Sequence, residues 1–265
     1  MTPVIEVKGI SKIFAESEAK PGEGLVAIKR ADLQVGGGEF VSLLGPSGCG
    51  KSTLLDIVGG LVAPSAGNII IEGEAIHGPT PKIAMVFQSM SLFPWRTALD
   101  NVEFGLELRG VDRATRAQTA LAMIELVGLK GFEEKYPSQL SGGMNQRVAI
   151  ARALALNPGI LLMDEPFGAL DEQTRRLMGL ELLHIWDRTR KTIVFVTHSI
   201  QEAIQLSDRI LLMSCRPSII REEIAVPLPR PRSIESLTSD VAKDIERRVW
   251  RALMEEVGER PPDAL

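Results

Sequence analysis

The chain has 265 residues, 45% of them hydrophobic and 24% charged, and a formal net charge of -4 at pH 7. This length allows a large core, either in one α/β domain or in a main body with an inserted lobe. The slightly acidic balance argues against a nucleic-acid-binding face, which is usually basic. We therefore expect a globular protein with no nucleic-acid partner.

The cysteine content and the hydropathy pattern predict a cellular location. Two cysteines, Cys49 and Cys215, are too few for a disulfide framework and fit a reducing compartment. The first residues lack the basic start and apolar run of a signal peptide. No segment approaches the roughly 18 uninterrupted apolar residues that a membrane-spanning helix requires. These features predict a cytoplasmic protein that reaches a membrane only through a partner.

Short apolar or β-branched runs predict the strands. They lie at residues 4–7, 40–44, 68–71, 83–87, 160–163, 192–197 and 209–213. The runs at 40–44, 160–163 and 192–197 are apolar on both faces, which is typical of a parallel sheet buried between helices. Residues 4–35 and 68–72 alternate more and carry Gly and Pro between them, which predicts an antiparallel flank.

The stretch 97–157 has a different pattern and predicts a helical insertion bounded by prolines. Apolar residues recur there at helical spacing, for example in 113–127. We therefore predict a core made of residues 1–96 and 158–226, with 97–157 as an inserted helical subdomain.

The remaining residues, 227–265, begin with a Pro- and Arg-rich stretch, which is typical of a linker. Beyond it, apolar residues at i, i+4 spacing predict a terminal helix that packs on the core. These residues are Val241, Ile245, Val249, Leu253 and Val257.

Residues 45–52 read Gly-Pro-Ser-Gly-Cys-Gly-Lys-Ser, a complete G-x-x-x-x-G-K-[ST] motif between a predicted strand and a predicted helix at 53–58. Its backbone N–H groups can converge on phosphate oxygens, and the helix start favours an anion. Lys51 should reach the β- and γ-phosphates of ATP, and the Ser52 hydroxyl should hold Mg²⁺. The predicted nucleotide contacts are Gly45, Pro46, Ser47, Gly48, Cys49, Gly50, Lys51, Ser52 and Thr53. The motif alone fits kinases, GTPases and motor ATPases equally.

Two carboxylates follow the apolar run 160–163. Asp164 ends this strand, which predicts that its carboxylate lies at the sheet edge near Mg²⁺. Glu165 is then free to orient and polarise the attacking water.

Two further polar side chains end predicted strands. His198 follows the run 192–197, where it could sense a γ-phosphate, and Gln88 follows the run 83–87, where an amide could bind Mg²⁺ or water. The other two histidines, in a loop and on a helix, suggest no such role.

Ser141-Gly142-Gly143 is a second helix start that suits an anion, because it opens an apolar helical pattern. The chain already has a phosphate-binding loop elsewhere. This pair of helix starts suggests a machine whose ATP is shared between two copies of the protein.

Taken together, these motifs resemble the ATP-binding subunits of ABC transporters over residues 4–226. The matching elements, in the family's order and spacing, are 45–52, Gln88, 140–147, 160–165, 168–171 and His198. The Leu-Ser-Gly-Gly run at 140–143 is the most specific of them. The resemblance implies a P-loop NTPase fold of the ABC ATPase type. This is an α/β fold with a mainly parallel core sheet, an antiparallel β flank and an inserted helical subdomain.

The resemblance also implies roles for individual residues. Ser141, Gly142 and Gly143 would grip the γ-phosphate of ATP held by the other copy. Residues 168–171 would then cross the dimer interface.

Four more positions are interpreted in the same way. Gln88 would report between ATP and the membrane subunit, and His198 would be the switch histidine. Phe14 looks like the aromatic residue that stacks on adenine, where the family more often has tyrosine. Asn145 departs from the family, which usually has a longer or basic side chain at this position.

The segment 87–102 narrows the family further. Phe93 and Trp95, which we expect to be exposed, suit a groove that receives a partner's short helix, since aromatic residues anchor interfaces. The Pro-Trp-Arg-Thr stretch at 94–97 and residues 228–232 resemble the ATPase subunits of nitrate, sulfonate and taurine importers.

This likeness implies an ATPase that converts ATP and water to ADP and phosphate and drives transport. Two copies would sandwich two ATP molecules with Mg²⁺ and act on transmembrane permease subunits, with a solute-binding protein in the full system. The chain would then be peripheral on the inner face of the cell membrane. Two alternatives are a soluble ABC ATPase acting on nucleic acid or ribosomes, and a P-loop kinase. The former would be expected to have a coiled-coil insertion or tandem cassettes, and the latter would leave the Leu-Ser-Gly-Gly run unexplained.

Overall fold

The computed structural model describes residues 3–15 and 24–258. These residues form two compact units. The first contains the described residues up to Thr80 and from Thr192 onward, and the second is Pro81–Lys191. The division into 1–96 with 158–226, 97–157 and 227–265 stays a prediction.

The strands in chain order are β1 (Pro3–Phe14), β2 (Leu25–Gly36), β3 (Phe40–Leu44), β4 (Ala66–Ile71), β5 (Glu74–Ile76), β6 (Ile83–Val86), β7 (Ile160–Asp164), β8 (Thr192–Thr197), β9 (Arg209–Met213) and β10 (Ser218–Ala225). The helices are α1 (Lys51–Val58), α2 (Ala98–Leu108), α3 (Arg113–Leu126), α4 (Gly142–Ala155), α5 (Glu172–Thr189), α6 (Ile200–Leu206), α7 (Ile234–Leu237) and α8 (Asp240–Gly258). A 3₁₀ turn spans Pro137–Gln139.

In the first unit the strands lie in the order β5-β4-β1-β2-β10-β9-β3-β8. Strand β3 pairs in parallel with β8 and β9, and every residue of β3 and β8 is buried. Such strands need apolar side chains on both faces, which is the pattern their sequences show. At the other end, β1 pairs antiparallel with β2 and β4, and β4 with β5. The predicted parallel core and antiparallel flank are both confirmed.

The second unit contains the parallel pair β6 and β7, with Ile83 opposite Ile160. Its helices begin at defined caps. Thr97 and Asp100 form a capping box at the start of α2, and the Asp112 carboxylate accepts two backbone N–H groups at the start of α3. Such caps satisfy backbone donors that the first helical turn leaves open. Helices α2 and α3 pack against α4.

The terminal helix α8 packs on α6 in the first unit, as its stripe of apolar residues predicts. Ile245 and Val249 are buried in this core. The prediction for Val241 is wrong, because its side chain is 47% exposed, and the neighbouring Ala242 is buried instead. The side chain of Val257 lies outside the described residues.

The Pro- and Arg-rich stretch before α8 is fastened to the first unit. Arg232 is buried and donates to the carbonyls of Ser207 and Leu228, and burial lowers the pKa of its guanidinium to about 10. Arg230 pairs with Asp208. Across the described part of the chain, no helix is both long enough and apolar enough to cross a membrane.

Candidate functional site

The phosphate-binding loop lies between β3 and α1, and its glycines are required by geometry. Gly48 and Gly50 have φ angles of 72° and 112°, in a region that favours glycine. A Cβ on Gly45 would lie 2.7 Å from the carbonyl oxygen of Met213, closer than a real contact allows. At these glycines the surface of the loop is formed by backbone and not by side chains. Binding of phosphate by backbone N–H groups requires this.

Lys51 is the first residue of α1 and is almost fully buried. Its Nζ donates to the carbonyl oxygens of Gly45 at 2.9 Å and Pro46 at 3.0 Å, which holds the ammonium group at the loop. Burial raises the pKa of the fully buried Cys49 thiol, which disfavours its reactive thiolate form. Ser52 follows with its side chain on the exposed side of the helix.

The chain leaves β8 at His198, beside the phosphate-binding loop. Leu44, the last residue of β3, is opposite Thr197, the last residue of β8, so the two connections begin at neighbouring strand ends. His198 is exposed, and hydrogen bonds fix the turn that follows it. The Ser199 N–H donates to the Thr197 hydroxyl at 2.9 Å, and that hydroxyl donates to Glu202.

Phe14 ends β1 and keeps 40% of its surface exposed. The Nζ of Lys12 lies 5.0 Å from the centroid of its ring, a cation–π contact. The ring is thus accessible to a stacking partner, while its role with adenine stays a prediction.

In the second unit, Gln88 and Glu165 come together. Val86 is opposite Met163 in the parallel pair, so the connections that carry these residues begin side by side. A Cβ on Gly168 would lie 3.5 Å from the Gln88 Nε2 and 3.7 Å from the Glu165 Oε2. The two side chains therefore reach the same small space beside one glycine.

Glu165 has a left-handed backbone with φ of 41°, which is uncommon for a residue with a side chain. Such a conformation costs roughly 1–3 kcal/mol and is found preferentially at functional sites. Glu165 directly follows Asp164, the last residue of β7.

The predicted second anion site is a regular helix start. Ser141 is the N-cap of α4, and its hydroxyl accepts from the Met144 N–H at 3.3 Å. The first turn of α4 has no acidic residue, and Ser141 and Gly142 are exposed. A Cβ on Gly143 would lie 3.2 Å from the Thr174 side chain, so the glycine allows close packing of α5 on α4.

The departure at Asn145 has a structural role. Its Nδ2 donates to the carbonyl oxygens of Pro137 at 2.9 Å and Leu140 at 3.4 Å. These bonds tie α4 to the turn that precedes it, so the shorter side chain supports the helix start.

Arg152 links the Gln88 loop to α4, and the sequence pattern contains no signal for this contact. Its guanidinium donates to the carbonyl oxygens of Met90 and Ser91, both at 2.7 Å. Both of these loop residues have left-handed backbones. The helix that starts at Ser141 therefore also holds the loop that carries Gln88.

The aromatic segment is confirmed only in part. Trp95 is 72% exposed, as predicted. Phe93 is half-buried instead, because its ring packs 4.5 Å from that of Phe104 and lies under the Arg96 guanidinium. Phe93 thus supports Trp95, whose ring is 5.6 Å away.

The donor types suit magnesium better than a metal held by protein alone. In the described ranges there is no group of three or more His, Cys, Asp or Glu side chains that could hold a metal ion. The predicted ligands are a hydroxyl, an amide and one carboxylate, from Ser52, Gln88 and Asp164. Mg²⁺ typically takes only one or two carboxylates and completes its shell with phosphates and waters.

A protein-family model described as ABC transporter matches residues 28–168. This stretch contains the phosphate-binding loop, the Ser-Gly-Gly helix start and both carboxylates. The chain belongs to the ABC transporter family. It is therefore an ABC ATPase, an enzyme that hydrolyses ATP.

Curated relatives cover most of the ATPase. A nitrate import ATP-binding protein of Synechocystis sp. is 46% identical over 225 residues, which are 85% of this chain and 83% of the relative. A taurine import ATP-binding protein of Yersinia pestis is 47% identical over 217 residues, or 82% and 83% of the two chains. An uncharacterized ABC transporter ATP-binding protein of Methanocaldococcus jannaschii is 48% identical over 233 residues, or 88% and 86%.

Solved structures confirm the fold. A dimeric ATP-binding cassette in a post-hydrolysis state, bound to ADP and Pi, has a TM-score of 0.71 and 36% identity, covering 84% of this chain and 98% of its own. A dimeric bacterial ABC transporter cassette has a TM-score of 0.72 with the same identity and coverage. The predicted ABC ATPase fold is thus confirmed.

Proposed function

We propose that this ATPase is the energy-coupling subunit of an importer for nitrate, a sulfonate, taurine or a related small solute. The import relatives support this proposal, since the nitrate and taurine proteins match more than four-fifths of the chain. In this role it works with transmembrane permease subunits and a solute-binding protein, on the inner face of the cell membrane.

The proposed site uses this chain's residues in distinct roles. Lys51 and the backbone of residues 45–53 hold the phosphates of ATP, and Phe14 stacks on its adenine. Mg²⁺, which would neutralise developing charge on the phosphates, is held by Ser52, Asp164 and Gln88.

Glu165 is the proposed general base that orients the attacking water. His198 senses the γ-phosphate. Residues 97–157 act as the subdomain that carries the Ser-Gly-Gly helix start.

The observation that carries the shared ATP site is the exposed N-terminus of α4. Its backbone N–H groups and its dipole favour an anion, the first turn contains no acidic residue, and Ser141 and Gly142 are open to solvent. The chain has a separate loop for its own nucleotide. We therefore assign this helix start to the γ-phosphate of ATP held by a second copy.

Mixing two inactive variants tests the shared site. Lys51→Ala removes the lysine that holds the phosphates, and Ser141→Arg blocks the helix start. Neither homodimer therefore contains an intact site. A mixed dimer contains one site with both changes and one site with neither. Equimolar mixing should therefore restore about a quarter of wild-type ATP hydrolysis if half of the dimers are mixed.

The alternative arrangement gives a different result. If Ser141 served the nucleotide of its own chain, every site in the mixed dimer would carry one change, and mixing would restore nothing. Each variant mixed with more of itself is the control for concentration. Failure to recover activity, with dimers present by size-exclusion chromatography, contradicts the shared-site proposal.

A further inference from the structure

A groove of about 970 Å³ runs along α8 in the first unit and begins beside His198. It falls within the size range of small-molecule sites, which is about 300–1,000 Å³. Neither the phosphate-binding loop nor the Ser-Gly-Gly helix start lines it. The groove is thus a separate concave surface whose first residue belongs to the catalytic machinery proposed above.

Three cationic side chains line the groove, although the whole chain carries a net charge of -4. Lys243, Arg247 and Arg251 line it from one face of α8, at successive i, i+4 positions. Glu246 is the carboxylate that lines the groove, and it already accepts a hydrogen bond from the Gln201 amide at 2.8 Å. Asp240 and Asp244 lie next to two of these cations, so in the described ranges Arg251 is the lining cation that has no carboxylate partner.

The cations differ in how they are engaged. Lys243 and Arg247 make exposed i, i+3 pairs with Asp240 and Asp244, which are contacts of little energetic worth. Within the described ranges, Arg251 has neither a hydrogen bond nor an ion pair. Its guanidinium can therefore bind an anion without first breaking another contact.

The groove also has an apolar wall. Trp250 is 57% exposed and Met254 is 53% exposed, and both line it. The large exposed indole of Trp250 and the Arg251 guanidinium combine a flat stacking surface with a charge-assisted hydrogen-bond donor. This combination matches a ligand that has both a flat apolar body and an anionic group.

We propose that this groove binds a small aromatic or otherwise apolar organic anion, with its anionic group on Arg251 and Lys243 and its body against Trp250. Binding in the groove is independent of the transported solute and of the shared ATP site, whereas its effect on hydrolysis rests on the proposed role of His198.

An occupied groove would also act on hydrolysis. His198 lines it, and the Gln201–Glu246 hydrogen bond joins the first turn of α6 to α8 next to that histidine. A bound anion would contact the face of α8 that carries Glu246, and it would lie against the His198 imidazole. Binding should therefore lower the rate of ATP hydrolysis.

The test uses the full chain, saturated with Mg²⁺ and ADP, and naphthalene-1-sulfonate as the probe. Ligand-observed NMR titration should give a Kd of about 0.1–1 mM, as expected for a probe of this size. Arg251→Glu should weaken binding at least tenfold and Trp250→Ala about fivefold. Arg113→Glu makes the same charge change on exposed α3 and should leave the Kd unchanged.

Two further ligands separate the parts of the site. Uncharged 1-naphthol and small methanesulfonate should each bind at least tenfold more weakly than the probe. Equal binding of methanesulfonate would mean an adventitious ion only, and equal binding of 1-naphthol would mean non-specific apolar adsorption. Either result overturns the proposal, as does an unchanged Kd in Arg251→Glu.

The functional arm measures ATP hydrolysis with and without the probe. Arg251→Glu should keep the basal rate, since Arg251 has no place in the catalytic site, but should lose the inhibition. Inhibition that persists in this variant would locate the effect elsewhere, at the ATP site for example, and would contradict the link to the groove.

Discussion

The side-chain amide of Gln88 and the carboxylate of Glu165 both lie beside Gly168, at the position that a Cβ would occupy. A Cβ there would be 3.5 Å from the Gln88 Nε2, 3.7 Å from the Glu165 Oε2 and 3.3 Å from the Glu165 carbonyl oxygen. The glycine therefore leaves open a small space that the proposed base and the Gln88 amide share.

Gly168→Ala should reduce hydrolysis without preventing ATP binding. The added methyl group would lie 3.3 Å from the Glu165 carbonyl oxygen, so the left-handed backbone of Glu165 must shift by a few tenths of an ångström. Catalytic positions tolerate displacements of well under 1 Å. We expect kcat to fall about tenfold or more, while the Kd for ATP changes less than twofold. Steady-state kinetics and nucleotide titration measure the two quantities.

Gly78→Ala is the matched control for this substitution. A Cβ on Gly78 would have no atom within 4 Å, so the variant should keep both kcat and Tm. An unchanged kcat in Gly168→Ala would show that the spacing at Gly168 is not critical.

Glu165→Gln should retain ATP binding and lose turnover. The amide keeps the size of the side chain but cannot accept the proton of the attacking water, so kcat should fall by about 10²–10⁴-fold. With ATP bound and not hydrolysed, the variant should accumulate as a dimer in size-exclusion chromatography. Glu172→Gln, an exposed change in the first turn of α5, is the control. A Glu165→Gln chain that stays monomeric and hydrolyses ATP normally contradicts the assignment.

The sequence predicts the strand ends of this site because two simple patterns coincide there. Runs that are apolar on both faces identify β3, β7 and β8, and the first polar residue after each run must lie at the sheet edge. The pairing of Leu44 with Thr197 and of Val86 with Met163 follows this expectation. Burial on both faces of a strand shows directly in the sequence as an uninterrupted apolar run.

Contacts between segments that are distant in the chain leave no such pattern in the sequence. Arg152 reaches backbone carbonyls 61 and 62 residues away, and a carbonyl acceptor has no sequence identity to recognise. The half-buried Phe93 and the exposed Val241 were mispredicted for a related reason. Phe104 packs on Phe93, and on α8 the core contains Ala242 while Val241 stays exposed. An apolar residue alone does not reveal which neighbour packs on it.

Arg152→Met should loosen the Gln88 loop. The substitution removes two hydrogen bonds from a charged donor to Met90 and Ser91, each worth about 1.5–3 kcal/mol. Because those residues have strained left-handed backbones, the loop should relax and Gln88 should leave Gly168. We expect a lower Tm and a fall in kcat of at least fivefold.

Arg109→Met provides the comparison, because Arg109 also donates to one backbone carbonyl, that of Leu156, but touches no part of the Gln88 loop. It should change Tm slightly and kcat not at all. Equal losses of kcat in both variants would mean that Arg152 acts only through general stability. Hydrogen exchange of residues 88–92 gives an independent readout, which should rise in Arg152→Met alone.

Trp95→Ala should uncouple hydrolysis from transport in the assembled importer. The indole is 72% exposed and is supported from below by Phe93, which is the arrangement of an aromatic anchor at a protein interface. Truncating such an anchor typically costs about 2 kcal/mol or more of binding free energy. The isolated chain should therefore keep its basal ATPase rate, while solute uptake by proteoliposomes that contain the permease should fall at least tenfold.

Leu108→Ala removes an equally exposed apolar side chain at the end of α2 and should leave uptake intact. Unchanged uptake in Trp95→Ala would exclude this residue from the permease interface, and a lost basal rate would assign it to the ATPase body.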